Sequence, residues 1–210
     1  MNYEQMENNK AMLSGRIVDE PTFSHEVMGE GFFETRIEVR RLSDQVDLLP
    51  VTISERLVND YEIEEGSEVC LSGQFRSYNI ADEGRSRLVL SFFVREVLPL
   101  SDENPNVIEI NGYVCKEPVY RTTPFNREIC DMLIAVNRAY NKSDYIPCIA
   151  WGRNARFAKN LTVGSKVTIN GRMQSRVYQK QTESGEVVQK TAYEVSVSRI
   201  VVVREEVDCV

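Results

Sequence analysis

Tyr145 and Trp151 stand six residues apart in the stretch DYIPCIAWGRNARFAKNL, residues 144–161, and Trp151 is the only tryptophan of the 210-residue chain. Side chains of an extended strand alternate between faces, so this even spacing puts both rings on one side. Ile146, Cys148 and Ala150 fall on the other side, and Arg153, Arg156 and Lys159 follow directly. A ring in a core needs no such basic company. A nucleobase stacked on the ring, with its phosphates alongside, does. The chemistry implied is non-covalent: a flat π face holds any base at roughly 1–3 kcal/mol per stack, while cations offset the backbone charge. A second stretch, GRMQSRVYQK, has a related pattern. Arg172, Gln174, Arg176, Tyr178 and Lys180 share one parity and Met173 and Val177 the other, which reads as a polar, aromatic and basic face backed by core.

These faces need strands to carry them. NVIEINGYV, EICDMLIAVNRAY, YIPCIAW, SKVTINGRMQSRVY and TAYEVSVSRIVVV alternate or run apolar with β-branched enrichment, as strands do. RNARFAKNL reads as one short helix, with the glycine of TVGS as its stop. Strand, strand, strand, helix, strand, strand is the order of a five-stranded oligonucleotide-binding (OB) barrel. NKSD and TESGE are turn-rich and mark hairpin tips.

The first half carries the same frame. Gly15, Glu20 and Pro21 recur 97 positions later as Gly112, Glu117 and Pro118, and Val39, Arg41, Asp47 and Pro50 recur as Val136, Arg138, Asp144 and Pro147. After one inserted residue, EGSEVCLSGQFRS aligns with VGSKVTINGRMQS, matching Gly66 with Gly164, Val69 with Val167, Gly73 with Gly171 and Ser77 with Ser175. An ordered series with so few gaps is a duplication. The expected architecture is all-β: two tandem OB-fold five-stranded Greek-key barrels, each with one short helix between strands 3 and 4. A first, acidic barrel is placed at residues 1–100 and a second, basic one at 106–204. A linker at 101–105 joins them, and a short acidic C-terminus at 205–210 follows.

The length accommodates two domains of about 100 residues. The five cysteines are odd in number and scattered, so they read as free thiols of a reducing cytoplasm and not as a disulfide frame or zinc site. The net charge of −7 speaks against nucleic acid only as an average. Residues 1–103 hold 10 Lys and Arg against 21 Asp and Glu; residues 104–210 hold 15 against 11. Only the second half attracts a polyanion over a distance. No apolar run approaches the roughly 20 residues of a membrane helix. MNYEQMENNK lacks a secretory pattern, so neither membrane nor export is expected.

INGYVCKEPVYR, IAVNRAY, DYIPCIAWGRNARFAKNLTVGSKVTINGRMQSRVY and ESGE resemble the bacterial single-stranded DNA-binding protein family over residues 106–203. The whole chain resembles the tandem members, in which one polypeptide stands in for a dimer. The resemblance implies stacking on Tyr140, Tyr145, Trp151 and Tyr178, flanked by the cations Arg138, Lys142, Arg153, Arg172 and Arg176. In the first repeat the matching aromatic positions are Ser43, Leu48, Ser54 and Ile80, and EIEEGSE stands where the second has NLTVGSK. The first barrel is therefore expected to bind no DNA by this route and to serve in pairing the barrels within the chain. Phe23, Phe32, Phe33 and Tyr78 remain as other aromatic positions there. The ending RIVVVREEVDCV departs from the family's long tail with its acidic tip, through which partner enzymes are recruited.

The expected function is that of a single-stranded DNA-binding protein that coats ssDNA sequence-independently, by base stacking and phosphate contacts, in DNA replication, repair or recombination. It is expected in the cytoplasm, associated with the nucleoid, as an intramolecular pseudo-dimer of OB-folds. Two chains would give four barrels, working beside replication or repair proteins. The alternative is an OB-fold protein-interaction or primosome accessory scaffold with weak or no DNA binding. An enzyme is not expected, nor a cofactor or metal. The chain has no Gly-rich phosphate loop, nucleophile elbow or paired metal carboxylates, and its one histidine, His25, reads as a surface residue.

Overall fold

The computed structural model describes residues 8–43, 45–82, 85–101, 103–181 and 185–203. The acidic end at 205–210 and the side chains of Tyr140 and Lys180 lie outside the described residues. In the first repeat the order is β1 (Asn9–Ile17), β2 (Thr22–Val27), β3 (Glu30–Arg40), β4 (Val46–Ser54), α1 (Glu55–Asp60), β5 (Glu68–Asp82) and β6 (Arg85–Leu98). The second repeats it as β7 (Asn106–Val114), β8 (Val119–Thr122), β9 (Glu128–Arg138), β10 (Lys142–Trp151), α2 (Arg153–Ala158), β11 (Lys166–Gln181) and β12 (Val187–Val202). Each repeat has the five expected strands and its helix, plus one short extra strand, β2 or β8, hairpinned onto the next.

In the first barrel the neighbours run β2-β3-β4-β6-β5-β1, and β1 closes back on β3 through Arg16–Glu38 and Ile17–Ile37. The second runs β8-β9-β10-β12-β11-β7 and closes from β7 to β9 through Tyr113–Ala135 and Val114–Ile134. One parallel pairing occurs in each, β4 with β6 and β10 with β12. These are two OB-fold barrels.

Alternation explains the cores. In β9, Met132, Ile134 and Val136 point inward to meet Ile110 of β7, Ile146 and Cys148 of β10, Ile169 of β11 and Val195 of β12, all buried. Leu13, Ile37, Leu49, Leu71, Phe75 and Phe92 fill the first barrel the same way. The recurring glycines sit where strands cross closely. A Cβ on Gly112 would lie 2.6 Å from the Ala135 carbonyl oxygen, and one on Gly171 would lie 2.4 Å from that of Ser196. Gly15 and Gly73 face Glu38 and Phe93 at 2.1 and 2.2 Å, so the repeated letters mark one closure used twice.

The chain forms two compact units whose limits depart from the repeat boundary. One holds residues 8–10, 108–172 and 195–203; the other holds residues 11–107 together with 173–194. The end of β11 and the start of β12 thus form an arm that packs with the first barrel's residues. The reason is a polar clasp at Asp47, a fully buried carboxylate. Asp47 receives two 2.6 Å hydrogen bonds from Arg41 and one of 2.7 Å from the Ser175 amide. The Leu48 amide donates in turn to Ser175 Oγ at 3.1 Å. Cys70, Cys115, Cys130 and Cys148 are thiols; burial pushes the first three up in pKa. Among the described residues no helix is long and apolar enough to cross a membrane.

Candidate nucleic-acid interface

β10 places the two rings as its alternation requires. Tyr145 and Trp151 are 40% and 38% exposed, while Ile146, Cys148 and Ala150 are buried behind them. The outward positions between the rings, Pro147 and Ile149, are half-buried and buried, so the strip joining them is apolar. Trp151 ends the strand opposite Ile129 of β9. Gly152 then takes φ +51°, a left-handed turn that side chains resist, and the Arg156 amide begins the helix by bonding to the Gly152 carbonyl. α2 is shorter than the RNARFAKNL stretch, ending at Ala158 with Lys159 as its cap. The corner holds the indole at the strand's edge, with Arg153 as the first residue of the helix.

The cations divide into free and engaged. Lys142 and Arg153 are exposed and form no ion pair among the described residues. Arg138 is occupied: its Nη1 donates at 3.1 Å to Asp144, which is buried, so its charge is already offset. Arg156 pairs with Glu128, and Glu128 also accepts from the Tyr120 hydroxyl. That hydroxyl above all, then Arg156 and Lys159, holds the Glu128 carboxyl below its ordinary pKa, and the same bond raises Tyr120. The Lys159 ammonium stands 5.1 Å from the Tyr120 ring centroid. Arg172 is half-buried on β11. Tyr140 falls in a 3-10 turn at Ala139–Asn141, and its side chain is outside the described residues.

Tyr178 and Arg176 belong to the arm and are described with it. Tyr178 is 37% exposed, and the Arg176 guanidinium carbon lies 5.8 Å from its ring centroid. Arg176 also pairs with Glu194 at 3.5 Å, where Gln174 donates at 2.8 Å. The two-sided face expected for GRMQSRVYQK is corrected here. Met173 is buried, but Val177 is 64% exposed and Gln174 is buried. From residue 176 to 179 the strand is exposed on both sides, because the hairpin outgrows the barrel and has no core to turn toward.

The first repeat shows what stands at the positions matching the expected stacking residues. Ser54, matching Trp151, caps α1 by accepting from the Leu57 amide at 3.4 Å. Leu48, matching Tyr145, donates to Ser175 of the arm. Most of the other aromatics named there meet a neighbouring ring: His25 stacks on Phe32 at 5.3 Å, Phe32 is tilted against Phe93 at 5.5 Å, and Phe23 meets Phe33 edge-on at 5.9 Å, while the Arg76 guanidinium lies over Phe93 at 3.8 Å and Tyr78 is 44% exposed. His25 is exposed, and no group of three or more metal-ligating side chains occurs among the described residues.

Sequence reasoning missed the Asp47 clasp and the engagement of Arg138. A signal was present: an Arg and an Asp six residues apart occur in both repeats, as Arg41–Asp47 and Arg138–Asp144. A charge pair that survives duplication on strands otherwise so altered is a structural pair.

The model of the single-strand binding protein family matches residues 105–203. Single-stranded DNA-binding protein 1 of Staphylococcus aureus (strain COL) is 35% identical over 83 residues, 36% of this chain and 50% of that protein. Single-stranded DNA-binding protein A of Bacillus subtilis (strain 168) is 32% identical over 83 residues, 36% of this chain and 48% of that protein. The chain thus spans about half the length of the curated relatives it matches. The wild-type single-stranded DNA binding protein from Thermus aquaticus shares the fold across both barrels: TM-score 0.71 and 16% identity, covering 94% of this chain and 93% of that one. Residues 105–203 are thus similar to the single-strand binding protein family.

Proposed function

We propose that this chain binds single-stranded DNA without reading its sequence, as a non-enzymatic protein of replication, repair or recombination. The observation that carries the reading is the pair of half-exposed rings on one face of β10, Tyr145 and Trp151, with Arg153, in no ion pair among the described residues, at the corner. Every base offers a π face, so two such rings bind any sequence. Tyr178, with Arg176 over its edge, is a further stacking position on the arm, and Lys142 and Arg172 supply positive charge. Arg138 is left out of the phosphate-binding set because Asp144 holds it. The first barrel, which lacks the matching aromatics, serves to anchor the arm. Two associated chains would provide four barrels, and a cytoplasmic, nucleoid-associated location fits this ligand.

The test is fluorescence anisotropy of labelled oligo(dT) and of a labelled duplex. The single strand is expected to bind and the duplex to bind far more weakly. Trp151→Ala and Tyr145→Ala should each weaken single-strand binding by roughly 5- to 150-fold, the equivalent of one lost stack. Equal affinity for both ligands, or full affinity in both variants, rejects the reading.

A further inference from the structure

The β8–β9 hairpin carries a feature that the stacking pattern of the sequence did not include. Its tip, residues 123–127, reads TPFNR, and Phe125 at its apex is 87% exposed. A single exposed Phe is ordinary on a protein surface. Three observations set this one apart.

The first is rigidity. Thr123 donates its amide to the Arg127 carbonyl at 2.9 Å, and Asn126 donates to the Thr123 carbonyl at 2.9 Å. The Arg127 amide closes the turn onto Thr123 Oγ1 at 3.1 Å, and Pro124 fixes its own φ. A turn held this way keeps its backbone ordered before any ligand covers the ring, so the loop itself has little freedom left to lose.

The second is position. Ile129 of β9 is the register partner of Trp151, and the Gly152 amide bonds to the Glu128 carbonyl at 2.9 Å. Phe125 lies four residues before Ile129, so its Cα is at most ~14 Å from that of Ile129. The tip therefore continues the edge on which the indole sits, beyond the end of β10.

The third is charge. The acids of the hairpin are already balanced, Asp131 by Arg121 at 2.8 Å and Glu128 by Arg156. Arg127, exposed, forms no ion pair among the described residues, and neither does Arg153 across the strand end. The local excess is positive beside an aromatic face. That is the combination a single-strand track uses.

We infer that Phe125, with Arg127, is an additional stacking position for single-stranded nucleic acid, extending the track of Tyr145 and Trp151 past the end of β10. This rests on the proposed binding of single-stranded DNA. It predicts a longer covered stretch of strand, with one more base held on the hairpin tip.

The experiment moves the fluorescent probe. Full-length chain carrying Phe125→Trp in a Trp151→Phe background is titrated with oligo(dT) at low salt, beside the unaltered chain. Quenching of both indoles is expected. Phe125→Ala should weaken binding of a long oligo(dT) at least about fivefold with an unchanged melting temperature, since the ring is 87% exposed. Arg127→Ala should lower the salt slope by about 0.7. An indole at position 125 that stays bright while Trp151 is quenched overturns this inference alone and leaves the tip as a surface for another protein. Silence at both positions overturns the binding reading and this inference with it.

Discussion

Trp151 is held at a corner. The strand presents it, the left-handed Gly152 turns the chain away, and Arg153 begins the helix beside it. Its ring is half in solvent, the compromise a stacking residue needs: seated enough to be fixed, open enough to be covered. Arg138 shows the opposite outcome for a residue of equal promise. Because Asp144 is buried and takes its Nη1 bond, Arg138→Ala removes the cation that pairs with a buried carboxylate. The expected cost is about 3 kcal/mol of stability, the lower end for breaking a buried pair because Arg138 is itself part-exposed. Urea denaturation checks this, with the midpoint lowered and the slope unchanged. Parity alone sufficed to foresee Tyr145 and Trp151, since one strand with a well-packed inner face fixes both. Arg138's engagement was not visible that way. Its partner comes from the opposite side of a hairpin, and only the register brings them together.

The arm is the element with most to explain. The described residues of 173–194 belong to the first-repeat unit and are fastened there by Asp47. Asp47→Ala removes two bonds to Arg41 and the acceptor of the Ser175 amide, so a loss of roughly 3–5 kcal/mol is expected. Ser175→Ala keeps the amide bond and should cost about 1 kcal/mol. Equal losses in thermal or urea denaturation would argue against the clasp. The β8–β9 hairpin offers a pH test. Glu128 titrates below its ordinary value because of Tyr120 first and Arg156 and Lys159 after it. With the folded pKa below the unfolded one, its stabilisation is full above the unfolded value of about 4.3 and fades as pH falls through the folded value. Melting temperatures of the native chain and Glu128→Gln should differ at neutral pH and converge in acid. The barrel strands were legible from alternation and the duplicated glycines. β2 and β8 were not, being short and exposed, and Val177 misled because alternation assumes a core on one side.

Across the whole molecule the charge is divided by repeat, with the excess of acids in residues 1–103 and of bases in 104–210. The proposed stacking set follows the bases. In the first repeat its places are taken by a helix cap at Ser54 and an arm contact at Leu48, so one copy has turned to holding structure and the other keeps the open rings. The matched letters of the repeats revealed this asymmetry early. What they concealed is the contact between Asp47 and Ser175, which lie 128 residues apart. The most direct measurement is the fluorescence of Trp151, the sole indole, during titration with oligo(dT). Strong quenching at low salt, weakened in proportion to the logarithm of added salt as counterions return to the strand, is the expected result. An emission that stays constant at saturating oligonucleotide, in a chain shown to be folded, would refute base stacking at this site.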